Sequence, residues 1–310
     1  MNARLEPEIM PVSINALLII NPNSRSGAEA DITEGLQLLE SAGFVLIKVD
    51  SKSAEDTARL IDQHSKEVEM VIMGGGDGSI NSAAAAVYRN NLALAILPLG
   101  TANDLARSLG LPTDLLDVFK IIAANKRRKI DLGRVDGHLF FNAANIGLGT
   151  RVTRELTPEI KKYWGVFSYL RAAFAAFKSN RRFRATITVD GIQHCVKSIQ
   201  LAIGNGRFYG GGNIIDEAAT IDDGLLKLYS LPPQSMWELI LTAPRLRAGK
   251  QRELERIFTA VGQRIEVNTV PSREVYADGE PVSRTPAVFE IIPQALNVVY
   301  LAPAGPTDAA

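Results

Sequence analysis

Short apolar runs alternate with amphipathic stretches along the first 125 residues of the chain. The runs at 14–20, 44–49, 69–73 and 92–97 have the length and aliphatic content of buried strands. Residues 28–42, 53–65, 82–87 and 114–125 carry helical spacing instead. Gly43 stops the first of these helices, and Ser53 caps the second, with Glu55 and Asp56 in its first turn. Strands alternating with helices predict a mostly parallel sheet covered on both faces. Beyond Ile130 the pattern shortens. β-type segments recur at 130–135, 139–144, 185–189, 196–203, 225–230, 264–268, 274–277, 287–292 and 297–301, with Asp136-Gly137 and Asp190-Gly191 as turn pairs. That texture predicts an antiparallel β-sandwich, interrupted by helix near 157–179 and 234–258. The expected organisation is an α/β domain at 13–129 and an all-β domain at 130–302, with tails at 1–12 and 303–310. The basic run Lys126-Arg127-Arg128-Lys129 reads as a solvated linker at the junction.

Ligands of open α/β sheets bind at the C-terminal ends of the strands, and three polar loops fall there. The first is Asn21-Pro22-Asn23-Ser24-Arg25-Ser26-Gly27, whose Arg25 either meets a phosphate or is an ordinary solvated arginine. The second is Gly74-Gly75-Gly76-Asp77-Gly78-Ser79. A glycine turn between strand and helix presents N–H groups to an anion, and the helix dipole adds partial positive charge, so a phosphate belongs there. No lysine follows the glycines and they are consecutive, which excludes both the Gly-Lys-Ser/Thr nucleotide loop and the dinucleotide spacing. The third loop is Leu99-Gly100-Thr101-Ala102-Asn103-Asp104-Leu105-Ala106-Arg107. Asp77 and Asp104 are carboxylates beside the expected phosphates, where Mg²⁺ bridges such groups; a turn or cap for Asp77 and a first-turn role for Asp104 are the alternatives.

The β-rich part adds three features. Five glycines between 204 and 212 suggest a mobile or closely packed rim. Asp222-Asp223-Gly224 reads either as a turn or as a cation site. Asp278-Gly279 fits a hairpin turn, yet Asp278 and Glu280 also offer carboxylates that can take a proton from an attacking hydroxyl.

Composition narrows the classes. Over 310 residues, 34 Lys plus Arg balance 34 Asp plus Glu, so bulk charge gives no sign of a nucleic-acid partner. The single cysteine, Cys195, excludes an intramolecular disulfide and a multi-cysteine zinc site, and His64, His138 and His194 are scattered. No targeting signal is evident, and no stretch approaches the ~20 apolar residues of a membrane span. A cytoplasmic protein that visits a membrane surface transiently is the expectation. The oligomeric state stays open, a homodimer included.

In this order, Asn21-Pro22 with Gly27, Gly74–Asn81 (GGGDGSIN), Pro98–Arg107 (PLGTANDLAR), Gly204–Gly212, Asp222-Asp223-Gly224 and Asp278-Gly279-Glu280 resemble the diacylglycerol kinase catalytic family, in particular its soluble bacterial lipid kinases. The resemblance covers nearly the whole chain, and it is the order of the motifs that is specific. It implies a Rossmann-like nucleotide domain and a β-sandwich domain with the active site between them, as in NAD kinase and diacylglycerol kinase folds. It implies transfer of the γ-phosphoryl of ATP, with Mg²⁺, to a lipid hydroxyl at the membrane surface. Residue by residue, Asn21, Ser51, Gly74, Gly75, Gly76, Asp77, Gly78, Ser79, Ile80, Asn81, Ser82, Thr101 and Asn103 would bind ATP; Ser51 and Ser79 stand where threonine is commoner. Asp223 would hold a Mg²⁺ with the carbonyls of Thr220 and Leu225. Glu280 would be the catalytic acid/base with Asp278 beside it, and Asp77 and Asp104 would join the catalytic metal network. Residues 157–182, with Trp164, Phe167, Leu170, Phe174 and Phe177 on one helical stripe among basic residues, either meet the membrane or cover the β-domain. A nicotinamide-dinucleotide kinase shares the Gly-Gly-Asp-Gly loop, but not the full Pro-Leu-Gly-Thr-Ala-Asn-Asp run with Asp-Gly-Glu. A catalytically inactive lipid- or nucleotide-binding regulator would not need Asp77, Asp104 and Glu280 intact.

Overall fold

A computed structural model of the chain describes residues 13–21, 32–147 and 182–301. The N-terminal strands are β1 (Ile14–Ile20), β2 (Phe44–Asp50), β3 (Met70–Gly75) and β4 (Ala93–Pro98). They are joined through helices α1 (Thr33–Ser41), α2 (Ala54–His64) and α3 (Asp77–Arg89), and are followed by α4 (Asp104–Ser108) and α5 (Leu115–Ala124). The four strands pair in parallel in the order β2-β1-β3-β4. Successive side chains of a strand point to opposite faces. Leu17 and Ile19 of β1 therefore pack with Ile61 and Ile80 of α2 and α3. Ala16 and Leu18 pack on the other face with Leu39 and Phe119 of α1 and α5. Ser53 caps α2 by accepting the Asp56 N–H, and Asp114 caps α5 in the same way.

Two expectations fail here. The third helix starts at Asp77, not Ser82, with Gly76 as its N-cap; the dipole-favoured first-turn aspartate and the buried Ile80 outweigh the poor helix propensity of Gly78 and Ser79. The basic run is not a linker. Arg127–Val135 forms β5, whose Arg127 and Arg128 pair with Val299 and Val298 of the last strand while their side chains bond Glu69 and Asp222.

The remaining strands among the described residues are β6 (His138–Phe140), β7 (Ala143–Gly147), β8 (Phe183–Val189), β9 (Ile192–Ser198), β10 (Gln200–Gly204), β11 (Phe208–Tyr209), β12 (Asn213–Ile214), β13 (Leu226–Leu231), β14 (Phe258–Gly262), β15 (Arg264–Val270), β16 (Glu274–Ala277), β17 (Glu280–Arg284) and β18 (Ala287–Val299). One further helix, α6 (Met236–Arg247), lies inside the expected 234–258 interruption. The two runs expected at 287–292 and 297–301 are a single strand, β18, with a register shift between Ile292 and Leu296. β18 joins the halves of the molecule: Val298 pairs with Leu94 of β4, while Ala287–Glu290 pairs with β15. The parallel strands thus continue into a ten-stranded sheet, β2-β1-β3-β4-β18-β15-β8-β9, with β5 attached at β18 and β6 at β5. A six-stranded antiparallel sheet, β14-β13-β10-β7-β16-β17, faces its C-terminal half. Ile187, Ile265 and Phe289 from one sheet and Ile146, Ile203 and Val275 from the other share the core between them, which makes the expected sandwich. The segments 22–31 and 157–181, with Arg25, Gly27 and the aromatic stripe, and the tails 1–12 and 303–310 lie outside the described residues.

Candidate active site

In the order β2-β1-β3-β4 the chain runs outward in opposite directions from β1 and β3, and ligands of such sheets bind at the strand C-termini where this switch occurs. A cleft of about 160 Å³ opens there, lined by Asn21, Ser51, Lys52, Thr57, Gly78, Ser79 and Ser82 among others. That is below the ~300–1,000 Å³ of whole small-molecule pockets, so it fits one part of a ligand, such as a phosphate chain. Asn21 donates to the Ser79 hydroxyl at 2.8 Å, tying the end of β1 to the first turn of α3. Ser51 is buried and its hydroxyl meets Thr57 Oγ1 at 2.5 Å and donates to Ser53 O. Lys52 and Thr57 were not singled out from sequence; their signal is the Asp50-Ser51-Lys52-Ser53 turn, which puts a cation and hydroxyls at the C-terminal end of β2.

The first N–H groups of a helix have no partner within it, and α3 turns that end to the cleft. The glycines around it have different reasons. A Cβ on Gly75 would strike Ser79, and a Cβ on Gly100 would lie 2.4 Å from Gly76 Cα, so the two loops touch backbone to backbone. A Cβ on Gly78 would meet nothing within 4 Å beyond its own helix, and the residue lines the cleft. Its missing side chain serves open space, as close approach of a ligand requires. Ile80 presents nothing to the cleft: its side chain is in the core and its N–H donates to Gly76 O. Asn81 keeps a buried Oδ1 with no partner among the described residues, while Ser82 donates to Ser79 O. Gly74 is buried inside β3.

Asn103, left-handed at φ 51°, is a brace for the Gly100 loop: Oδ1 accepts from Gly100 N, and Nδ2 donates to Gly100 O and Pro98 O. Thr101 is exposed beside it. Asp104 is buried, and its two oxygens accept the N–H groups of Gly212 at 2.8 Å and Gly211 at 2.9 Å. Asp104 thus anchors the glycine-rich loop of the β-rich half to α4. Asp77 accepts from Leu105 N at 3.4 Å, at the start of α4. Burial raises the pKa of Asp77 and of Asp104, and the charge of Asp104 raises that of Asp77 further.

Asp278 and Gly279, both at positive φ, form the tight turn between β16 and β17. The hairpin reading therefore holds, and the carboxylate has a second task. Oδ2 accepts Phe141 N at 2.7 Å, and Oδ1 accepts Asn142 N at 3.0 Å and Ala143 N at 3.1 Å. Asn205 grips the same segment from the other side, donating to Phe141 O and to Asp131 O. Burial pushes the Asp278 carboxyl up to about 6 against these three bonds, and the charge of Asp77 adds to the rise. The carboxylates of the two halves therefore lie within electrostatic reach of each other. Glu280, at the first position of β17, is exposed and has no hydrogen-bond or ion-pair partner among the described residues. Tyr229, which the sequence did not single out, is buried, and its hydroxyl meets that of the partly buried Tyr209 beside the Asp104-anchored loop; burial raises Tyr209 to about 12.

The implied Asp223 metal site looks different. Asp223 accepts N–H groups from Thr220 and Leu225, each at 3.0 Å, and the ammonium of Lys227. Thr220 turns a donor to the carboxylate, and Leu225 O accepts Lys227 Nζ at 3.2 Å. Among the described residues no three His, Cys, Asp or Glu side chains are grouped to hold a metal, and no helix is long and apolar enough to cross a membrane.

Comparison with known proteins agrees with this architecture. Residues 15–135 match the diacylglycerol kinase catalytic domain, and residues 143–300 match the YegS C-terminal NAD kinase beta sandwich-like domain. A protein of Klebsiella pneumoniae named "probable lipid kinase YegS-like" is 32% identical over 286 residues, covering 91% of this chain and 94% of its own. One of the same name from Pseudomonas aeruginosa is 35% identical over 232 residues, covering 74% of this chain and 75% of its own. A crystal structure of a diacylglycerol kinase from Bacillus anthracis superposes with a TM-score of 0.71 at 22% identity, over 93% of this chain and 97% of that one. Another structure from that organism reaches a TM-score of 0.77 at 24% identity, with the same coverage. With both domains matched in order and full-length relatives above 30% identity, the chain belongs to the diacylglycerol kinase catalytic-domain family of kinases, in its YegS-like branch.

Proposed function

We propose that the protein transfers the γ-phosphoryl group of ATP to a hydroxyl of a lipid of diacylglycerol or phosphatidylglycerol type. The observation that carries this reading is the meeting of the halves at α3: Asp278 holds residues 141–143, and Phe141 packs in one core cluster with Ile80 of the helix that begins at Asp77 and faces the phosphate-sized cleft. Phosphoryl transfer asks mainly for positioning and charge neutralisation, with a base for the attacking hydroxyl. The first-turn amides of α3 and the space over Gly78 take the phosphates, with Lys52 and Thr101 at the margins. Of the three carboxylates, each of which faces backbone amides, Asp77 is the one in the first turn of α3, beside the phosphate-sized cleft, and would be the one to take a Mg²⁺. Mg²⁺ bound with the nucleotide would spread the phosphate charge and keep waters around it. Glu280 is the general base, and Asp278 is a positioning residue that fixes the turn from which Glu280 projects.

A lipid acceptor needs contact with a bilayer. Residues 157–182 were the sequence candidate; α6 offers a described one, since Trp237 (76% exposed) and Leu241 (73% exposed) are a turn apart on one side of it. The test is incubation of the purified protein with radiolabelled ATP, a panel of lipids in mixed micelles, and NAD. Label in a lipid supports the reading, label in NADP would favour the dinucleotide kinase alternative, and label in neither would favour a regulator without activity.

A further inference from the structure

The one buried lysine among the described residues, Lys227 on β13, meets Asp223, the residue for which the family resemblance implies a Mg²⁺. Its ammonium donates to Asp223 Oδ2 and, at 3.2 Å, to Leu225 O. These are two of the three oxygens that would ligate the ion. The third is the carbonyl of Thr220, whose N–H donates to the same Asp223 Oδ2 that the ammonium holds. Mg²⁺ demands near-octahedral oxygen ligands at about 2.0–2.1 Å, and a divalent ion here would share its donors with a buried monovalent cation. We infer that in this chain the ammonium of Lys227 takes the place of the metal, so that the 220–225 turn is held by a built-in cation and needs no divalent ion.

The surroundings give that turn a reason to be held. Asp222 pairs with Arg128, which also lies over the Tyr300 ring at 5.0 Å. Gly224 N donates to Asp131, whose carboxylate also accepts Gln294 N at the β18 irregularity, and Asp131 N donates to Ile221 O. The turn thus sits against the two strands that join the halves of the molecule. A divalent site there would make that junction sensitive to metal concentration; a lysine makes it constant.

The experiment is thermal unfolding of the nucleotide-free, full-length protein in EDTA and in millimolar MgCl₂ or CaCl₂, for wild type, Asp223→Asn and Lys227→Met. Wild type is expected to show no metal-dependent midpoint shift that Asp223→Asn removes. Lys227→Met leaves a half-buried carboxylate without its cation and is expected to lower the midpoint by about 2–4 °C, with metal recovering part of the loss. A saturable stabilisation of wild type by metal, abolished in Asp223→Asn, overturns the inference. So does a folded Lys227→Met protein that gains no metal response. If that variant fails to fold, the comparison of wild type with Asp223→Asn decides alone. Because the readout is unfolding, the outcome is independent of whether lipid phosphorylation is found.

Discussion

Replacing Asp278 by asparagine separates its charge from its hydrogen bonds. In wild type one oxygen accepts two N–H groups, from Asn142 and Ala143, and the other accepts Phe141 N at 2.7 Å. An asparagine serves the first two with its oxygen and faces Phe141 N with an NH₂ group. It loses one charge-assisted bond, worth about 1.5–3 kcal/mol, and leaves a donor unpaired. Set against this is the cost of the buried charge. The folded-state pKa of about 6, against an ordinary 3.8, means a net cost of about 3 kcal/mol once the group is ionised, with the three amide bonds already counted. The sign follows from linkage. Below about pH 4 the carboxyl is neutral in both states. Between about 4 and 6 the unfolded chain ionises and the folded one holds its proton, so stability is lost as pH rises, and above about 6 the loss is complete. Wild type should therefore lose up to roughly 3 kcal/mol from this group across the window while Asp278→Asn does not. The penalty of the substitution should be larger at pH 5 than at pH 7.5. Urea midpoints of both proteins across that range measure it. A penalty that stays constant, or grows with pH, would refute the reasoning and show that the three amides outweigh burial.

Gly78→Ala should add about 0.5–1 kcal/mol of stability, because it removes a glycine from α3 into open space, while weakening ATP binding by about tenfold or more (~1.4 kcal/mol); denaturation and nucleotide titration should move in opposite directions. Gly100→Ala should cost about 1–3 kcal/mol, since its Cβ meets the Cα of Gly76 at 2.4 Å, which is backbone and cannot turn aside; an unchanged unfolding midpoint would mean the loops do not touch.

Much of this was legible in the sequence where the physics is local. Residues 14–20 form a strand with the expected bounds, Ser53 caps its helix, and Asp278-Gly279 turns a hairpin, because each rests on neighbours in the chain. Illegible features depend on distant partners. Arg127 and Arg128 read as linker because nothing in sequence shows that Glu69 and Asp222 await their charges and β18 their backbone. β14 and β17 were missed, the latter because its sequence EPVSR carries a proline and two charges. Asp104 was identifiable as important, but its commitment to Gly211 and Gly212, over a hundred positions away, was not. Lys227 has a visible signal in the sequence, a charged residue inside the LKLYSL strand four positions after Asp223.

The central claim is that Glu280 on β17 deprotonates a lipid hydroxyl poised against a phosphate held by α3. Its most direct test is phosphoryl transfer from ATP to the accepted lipid by Glu280→Gln, with folding and nucleotide affinity measured on the same preparation. Turnover should fall by about 10²–10⁴-fold with both controls unchanged. Near-normal turnover would contradict the account.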